Sequence, residues 1–402
     1  MLIGDLADAL ERIAPSRFAG EWDNVGLLFG DRGAELAGPV LLTIDLTDAV
    51  LDEADRSGVG AVVSYHPPIF HAMKRFDERS REGRTLVRLG RIGAALFSPH
   101  TALDAARGGT GDWLLRCAAG DDAGPIRAME PLAIDDPTQA HKLIAFVPEA
   151  DVERVAEALS EAGAGEIGDY TRCSYRLRGQ GTFLPGDAAN PAIGSRGELE
   201  HVDELRLEMV APARNLGAIV RALYEAHPYE EPAFDVMRRE PAPDARVGLG
   251  RVQELAQPRA LSEVVANVKR GLGVGRVRVA APDGGRGIGR ADGHAAVPTA
   301  EVRRIAVCPG AGASVLRASG LLAADASGTV FVTGELSHHD VLAAREAGCT
   351  VILAGHTRTE RGYLPVLRER LTAELTDAIE RGDASPVEIL VSERDAWPLE
   401  EL

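Results

Sequence analysis

The chain has 402 residues, of which 45% are hydrophobic and 26% are charged, so it has room for two or three ordinary globular domains. Its formal net charge is −17 and it has no lysine/arginine block, which argues against nucleic acid and anionic membranes as partners. The four cysteines form no CxxC pair, which excludes a zinc ribbon. The N-terminus lacks the basic start and apolar centre of a signal peptide, and no apolar run is long enough to span a membrane, so we expect a cytoplasmic protein.

Strand-like and helix-like segments alternate in residues 1–125. An amphipathic helix in MLIGDLADALERIAP comes first, and the helices TDAVLDEADRSG and RTLVRLGRIG then separate three apolar runs. Thr47 is a predicted helix N-cap and Gly58 a predicted stop. The three strand-like runs are PVLLTIDL, GAVVSYHPP and AALFSPHTALD. This alternation predicts βαβ units with a parallel sheet, and therefore an N-terminal α/β lobe.

Residues 126–245 have a different pattern of predicted elements, in the order strand, helix, strand, strand, helix, strand. This order is that of a ferredoxin-like α+β module, which would be inserted between two α/β halves and would end in the linker EPAPDAR. The segments that carry this prediction are HKLIAFVP, DVERVAEALSEAG, CSYRLRGQGTFLP, VDELRLEMVAP, ARNLGAIVRALYEAHP and YEEPAFDVMRRE.

Residues 246–402 return to the α/β pattern and predict a C-terminal lobe that completes a site with the first. The helix ALSEVVANVKRGLG and the strand VRVAAP precede DGGRGIGRADGHAA, which we interpret as an exposed glycine-rich loop. Further strand-like runs follow, and Ser337 is a predicted N-cap. The predicted fold class is thus α/β: two related lobes with mainly parallel sheets and an inserted ferredoxin-like module.

Polar clusters follow four of the predicted strands, where open parallel sheets place their ligand sites. They are His66 in SYHPPIF; His100 and Asp104; Glu335, His338, His339 and Asp340; and His356 and Glu360. The spacing of four between His356 and Glu360 would place both on one face if a helix begins near residue 356. Imidazole and carboxylate groups are ordinary ligands of zinc, manganese and iron.

Each cluster also has a purely structural interpretation. His66 is then a turn residue, Glu360 pairs with a neighbouring arginine, and the histidines after Ser337 belong to a capped helix start. The patch EWDNVGLLFGD reads as an anchored loop, HPYEEPAFDV as a structural turn, and CPGAGAS as a turn whose amides could cradle a phosphate, although it lacks a P-loop lysine. Because four strand ends carry such clusters, one shared cleft explains them better than four unrelated structural roles.

The polar motifs described above, taken together, resemble those of a known family. The motifs EWDNVGLLFG, SYHPPIF, PHTALDAARGGTGDWL, TGELSHHDVLAAREAG and GHTRTERG occur in the order found in the NIF-three-like dinuclear metal-centre family, whose members are labelled GTP cyclohydrolase 1 type 2 homologues. The middle module is similar to the CutA/P-II-like insert of the long members. The resemblance implies two α/β lobes with a metal pair between them, and a homo-oligomer that is a hexamer built from trimers.

The resemblance also implies a set of site residues. Its metal ligands fall on position 65 and on His66, Asp104, His356 and Glu360, but position 65 is a tyrosine here, where the family has histidine. A phenol is a poor ligand at neutral pH, so Tyr65 and His100 become candidates for outer-shell or substitute roles. Glu335 and His338 are the candidate proton donors. The implied cofactor is one or two divalent ions per subunit, of zinc, iron, manganese or cobalt.

Two functions from different classes follow. The first is a metal-dependent hydrolase that acts on a nucleotide or another phosphate-containing small molecule, with GTP cyclohydrolase-type activity. The second is a non-catalytic metal-binding or regulatory assembly protein, which the tyrosine at position 65 favours because it weakens one metal position. A scaffold with a vestigial site is the third alternative.

Overall fold

A computed structural model of the chain describes residues 1–134, 139–282, 300–323, 325–380 and 386–399. These residues form two compact units. The first unit comprises Met1–Leu132 and Asp244–Leu402, and the second comprises Ala133–Pro243. The glycine-rich segment at residues 283–296 lies outside the described residues. Within the described part of the chain, no helix is both long and apolar enough to cross a membrane.

The N-terminal part of the first unit alternates strands and helices as its sequence predicts. Thr47 caps the second helix by accepting a hydrogen bond from the backbone amide of Val50, and Gly93 ends the third helix in a left-handed conformation. The elements are α1 (Ile3–Ile13), β1 (Gly26–Phe29), β2 (Val40–Thr43), α2 (Asp48–Arg56), β3 (Ala61–Ser64), α3 (Arg81–Ile92), β4 (Ala95–Ser98), α4 (His100–Ala105), α5 (Thr110–Ala119) and β5 (Ile126–Ile134).

The second unit has the element order strand, helix, strand, strand, helix, strand. Its four strands form an antiparallel sheet in the order β7-β8-β6-β9. Apolar residues of the two helices, among them Val155 and Leu223, pack with the inward side chains of the sheet into a separate core. The elements are β6 (His141–Pro148), α6 (Val152–Glu161), β7 (Tyr175–Phe183), β8 (Glu200–Ala211), α7 (Leu216–Ala226) and β9 (Phe234–Arg238).

The C-terminal part of the first unit begins with a long strand. The boundary between the units falls within the segment EPAPDAR, at Pro243 and Asp244, but residues 242–246 already belong to that strand. The elements are β10 (Ala242–Ala260), α8 (Leu261–Leu272), β11 (Arg278–Ala280), β12 (Glu301–Ala311), α9 (Ala313–Ala318), β13 (Thr329–Glu335), α10 (His338–Glu346), β14 (Thr350–Leu353), α11 (Leu364–Glu380) and β15 (Ile389–Val391).

One mainly parallel sheet and one mixed sheet form the first unit, which confirms the predicted α/β class. One sheet has the order β1-β4-β3-β2-β15, with parallel pairing from β15 through β4. The other has the order β11-β14-β13-β12-β10-β5, with β12, β13 and β14 parallel. One apolar cluster contains side chains of both sheets and of the helices between them, including Leu42, Val63, Val307 and Val332. The strands β2, β3 and β4 are buried at every position, as expected when both faces of a parallel sheet are covered.

Candidate metal centre

His66 is positioned by strand pairing that continues past the end of β3. The backbone amide of Tyr65 donates to the carbonyl of Thr43 at 2.8 Å, and that of His66 donates to the carbonyl of Ile44 at 3.0 Å. The hydroxyl of Ser64 also donates to the carbonyl of His66 at 2.7 Å. The imidazole therefore projects from the carboxyl end of the first sheet, where the sequence pattern places a ligand site.

His356 and Glu360 lie beyond the end of β14, at the carboxyl end of the second sheet. The prediction that they share one face of an α-helix is wrong, because short 3₁₀ turns at Thr357–Thr359 and Arg361–Tyr363 connect β14 to α11. The reason is Pro365, which has no amide hydrogen to give to the carbonyl of Arg361 and is compatible only with the first turn of a helix. The helix therefore begins at Leu364.

The two histidines converge on the carboxylate of Glu360. Nε2 of His66 lies 3.5 Å from Oε2 of Glu360, and Nε2 of His356 lies 3.4 Å from Oε1. One ligand atom from each of the three residues lies within 4.8 Å of the other two. Glu360 is only 2% exposed, whereas both imidazoles are half-buried. The structure thus brings together three donors of the nitrogen and oxygen type that first-row divalent ions bind.

Each of the two imidazoles is hydrogen-bonded through its Nδ1 atom to a second carboxylate. Nδ1 of His66 lies 3.0 Å from Oδ1 of Asp45, and Nδ1 of His356 lies 2.9 Å from Oε1 of Glu335. When the imidazole is neutral, such a carboxylate accepts the Nδ1 hydrogen and leaves the Nε2 lone pair for a metal ion, as in carboxylate–histidine–metal sites. Burial opposes protonation of His66, but Asp45 and Glu360 outweigh it and raise the pKa of His66 to about 10. The cluster therefore has a surplus of negative charge that attracts a cation.

Two glycines keep space beside this cluster. A Cβ atom at Gly310 would lie 2.5 Å from Oε1 of Glu360 and 2.9 Å from Nε2 of His356, and one at Gly334 would lie 2.6 Å from the Cα of His356. Gly310 also has a φ of +60°, which glycine adopts without strain. The glycines of CPGAGAS and TGELSHHD thus have a structural role: they let two strands approach the site closely.

The donor set fits a metal ion. Among the described residues, the buried Oε2 atom of Glu360 has no hydrogen-bond partner, and an unpaired buried carboxylate oxygen is costly unless a cation neutralises it. Two ligands that are each about 2.1 Å from one ion lie roughly 3.4 Å apart at a tetrahedral angle. Each nitrogen–oxygen separation, 3.4 Å to Oε1 and 3.5 Å to Oε2 of Glu360, is close to that value, and one ligand atom from each residue lies within 4.8 Å of the other two. His66, His356 and Glu360 can therefore hold one ion.

Asp104, the other predicted ligand, is engaged by Tyr65. The phenol hydroxyl donates to Oδ1 of Asp104 at 2.5 Å; Tyr65 is buried and Asp104 is half-buried. Burial, with the Asp104 and Glu360 carboxylates, raises the pKa of Tyr65 well above its usual value, so the phenol keeps its proton. Burial is also the main cause that raises the pKa of Asp104 to about 6; the Tyr65 hydrogen bond opposes this and Glu360 adds to it. The tyrosine thus occupies one oxygen of the carboxylate.

His100 forms a third imidazole–carboxylate pair, with Asp23. Nδ1 of His100 lies 2.7 Å from Oδ1 of Asp23, whose other oxygen accepts hydrogen bonds from the amide and the hydroxyl of Thr101. The His100 ring contacts those of Tyr65 and His66, with centroids 5.7 and 5.4 Å apart. The pair therefore borders the cluster.

The remaining predicted residues lie at different places. Glu335 belongs to the site through His356, whereas His338 lies on the exposed first turn of α10, where its ring contacts that of His339 with centroids 5.5 Å apart. Ser337 caps that helix as predicted, by accepting from the amide of Asp340. Sequence reasoning missed Asp45 and Asp23. Asp45 follows β2 as the predicted clusters follow their strands, so the same rule would have found it.

Comparison with known proteins assigns the chain to a family. The family model Duf34/NIF3 (NGG1p interacting factor 3) matches residues 1–394. The chain therefore belongs to the Duf34/NIF3 family, and the resemblance that the five motifs indicate is confirmed.

Relatives and solved structures agree with this assignment. Proteins named GTP cyclohydrolase 1 type 2 homolog from Mycobacterium leprae and Bacillus subtilis are 36% and 34% identical to the chain, over 99% and 96% of its length and 95% of theirs. A Bacillus cereus protein related to NIF3 matches with a TM-score of 0.70 at 27% identity, over 99% of this chain and 98% of its own. Staphylococcus aureus SA1388 matches with a TM-score of 0.72 at 25% identity, over 100% and 99% of the two chains.

Proposed function

We propose that the protein is a metal-dependent hydrolase that acts on a nucleotide or another phosphate-containing small molecule. The observation that carries the proposal is the convergence of two imidazoles, each hydrogen-bonded to another carboxylate, on the buried carboxylate of Glu360, whose Oε2 atom lacks a hydrogen-bond partner among the described residues. The names of the relatives support a purine nucleotide as the substrate, with GTP cyclohydrolase-type chemistry.

His66, His356 and Glu360 would hold the ion. A bound divalent ion supplies Lewis acidity, which polarises a substrate oxygen and lowers the pKa of a coordinated water. Asp45 and Glu335 keep the Nδ1 hydrogens in place and so orient the two rings. Zinc, iron, manganese and cobalt all suit this donor set.

Hydrolysis also requires a group that carries a proton between water and the leaving atom, and His100 is suited to that task. Asp23 accepts its Nδ1 hydrogen, so Nε2 is the atom that exchanges a proton, as in a histidine–aspartate dyad. Glu335 and His338 remain candidate proton donors. Glu335 is exposed and within hydrogen-bond distance of His356, whereas His338 would need to approach the cluster.

We propose that each subunit holds one ion rather than two, because Tyr65 stands where the family has a histidine and engages Asp104. Replacing Tyr65 with histidine removes that hydrogen bond and adds a nitrogen donor. We expect metal content, measured by plasma mass spectrometry on untagged protein, to rise from one ion per subunit to two. Tyr65→Phe is the control, because it frees Asp104 but adds no donor and should stay at one. Two ions in the parent protein would contradict the single-ion proposal.

Turnover tests the hydrolase itself. Metal-loaded protein is expected to hydrolyse at least one member of a panel of nucleotides and phosphoesters that includes GTP, with products followed by chromatography. His356→Ala should abolish this turnover, because it removes one metal ligand. His339→Ala, which changes an exposed histidine of α10, is the control and should retain it. A protein that binds metal but hydrolyses nothing on the panel would instead be the metal-binding assembly protein of the alternative hypothesis.

A further inference from the structure

Two aromatic side chains are exposed beside the metal cluster. Trp22 is 62% exposed and Phe70 is 40% exposed, and their ring centroids lie 6.0 Å apart with the planes inclined at 50°. A neighbouring groove of about 810 Å³ is lined by Phe70 together with Asn24, Phe29, Ile69 and Met73. Exposed aromatic rings of this size that lie next to each other usually belong to a binding surface.

The backbone on either side of Trp22 is firmly anchored. Gly20 donates its amide hydrogen to the hydroxyl of Thr101 at 3.1 Å, and the Asp23 side chain is fully buried against His100 and Thr101. The side-chain amide of Asn24 donates to the carbonyl of Ile69 at 2.6 Å, which connects the Trp22 loop to the segment that carries Phe70. The two aromatic residues are therefore presented by loops whose relative position is fixed.

The indole itself has a defined place. A Cβ atom at Gly20 would lie 2.9 Å from Cε2 and Nε1 of the indole, so the ring lies directly against the glycine. The glycine thus allows the ring to cover the backbone on one side, while most of Trp22 stays open to solvent. An arrangement of this kind costs little entropy when a ligand binds, because the ring is already positioned.

The imidazole ring of His100 connects this aromatic surface to the metal cluster. The edge of Trp22 contacts His100 with centroids 6.1 Å apart, and His100 contacts His66 with centroids 5.4 Å apart. A ligand that stacks on the aromatic pair therefore lies next to the candidate proton carrier and one ring away from a candidate metal ligand.

We propose that Trp22 and Phe70 form a stacking surface for the planar heteroaromatic ring of the substrate, which makes the substrate a nucleobase-containing anion. This rests on the proposed function and specifies its substrate class. The ring would stack on the aromatic pair, and the anionic part would extend toward the metal cluster, whose ion attracts it. Stacking of a base on an aromatic side chain tolerates different bases, so the surface selects for a planar ring rather than for guanine.

Calorimetric titration of metal-loaded protein with GTP, UTP and inorganic tripolyphosphate tests this proposal. Trp22→Ala is expected to weaken binding of both nucleotides by about tenfold and to leave the binding of tripolyphosphate unchanged, because only the nucleotides have a ring to stack. Phe70→Ala should have the same effect, and Trp22→Phe should restore most of the affinity. Tyr170→Ala, at an exposed aromatic residue of the second unit, is the matched control and should change neither.

Several results would overturn the proposal. The first is that Trp22→Ala weakens the binding of nucleotides and of tripolyphosphate equally. The second is that Trp22→Ala does not weaken nucleotide binding, and the third is that the parent protein binds no nucleotide. A change of mass in light scattering on Trp22→Ala would also overturn it, because the aromatic pair would then be a contact between copies of the chain. Ring-dependent binding without turnover would overturn the hydrolase and leave the stacking surface standing. Turnover that does not depend on Trp22 would overturn the stacking surface and leave the hydrolase standing.

Discussion

Glu360→Gln is expected to lower the affinity for a divalent ion by more than about a hundredfold, beyond the usual cost of losing an outer-shell partner. The substitution removes the single negative charge that both Nε2 atoms face and replaces one carboxylate oxygen with an amide. Two neutral imidazoles then remain, which are weaker as a set than two imidazoles with a carboxylate. Because glutamine has the same shape, the fold should be retained. Competition between metal-free protein and a chromophoric chelator measures the effect.

Two further variants make that measurement specific. Glu335→Gln leaves all three donors in place but weakens the support of His356, so we expect a smaller loss of about 10- to 100-fold. Glu369→Gln makes the same charge change at an exposed position of α11 and should bind metal like the parent protein. If Glu360→Gln bound metal as tightly as Glu369→Gln, Glu360 would not be a ligand.

Arg251→Met is expected to lower the free energy of unfolding of the first unit by about 3–5 kcal/mol, the usual cost of removing one partner of a buried ion pair. Arg251 is 0% exposed, and its Nε donates to Oδ1 of Asp112 at 2.7 Å. Its terminal nitrogens donate to four backbone carbonyls, those of Gly248, Gly250, Ala105 and Ala106. Methionine fills a similar volume but leaves the carboxylate and all four carbonyls without these donors.

Urea unfolding followed by tryptophan fluorescence measures this loss. All three tryptophans, Trp22, Trp113 and Trp397, belong to the first unit, so the signal reports that unit alone. Arg303→Met is the control, because Arg303 is exposed and, within the described part of the chain, pairs with Glu301 at the surface, where an ion pair contributes at most about 1 kcal/mol. Equal transitions for the two variants would show that the buried arginine contributes no more than a surface one.

Much of the fold can be predicted from the sequence, because its local signals agree with its tertiary structure. The buried parallel strands are short apolar runs, Thr47 and Ser337 cap the helices that they are predicted to begin, and Gly58, with a φ of +58°, follows the end of α2. β5 and β10 lack such signals. β10 begins in EPAPDAR, which the sequence predicts to be a linker, and contains glycines with positive φ at positions 248 and 250; residues 251–260 pair with β12 across an irregularity that includes Pro258.

The candidate site was only partly predictable. Strand ends indicate His66, His356 and Glu360 because a parallel sheet brings its carboxyl ends to one edge. Asp23 gives no such indication, since it lies in a loop ahead of an antiparallel strand and meets His100 only through tertiary folding. The consequence of tyrosine at position 65 also required the structure, because sequence alone does not show that its hydroxyl bonds to Asp104.

The donors of the cluster come from opposite ends of the chain, His66 from the first sheet and the His356–Glu360 pair from the second. A bound ion would therefore act as a reversible cross-link that closes a very long loop. The entropy lost when the two ends of a loop are brought together grows only slowly with loop length. The large sequence separation of the donors therefore adds little to the free-energy cost of forming the site. Since the unfolded chain does not assemble all three donors, a bound ion would stabilise the folded form by an amount that grows with the logarithm of its affinity. Its ligands would then be retained for the integrity of the protein as well as for its chemistry.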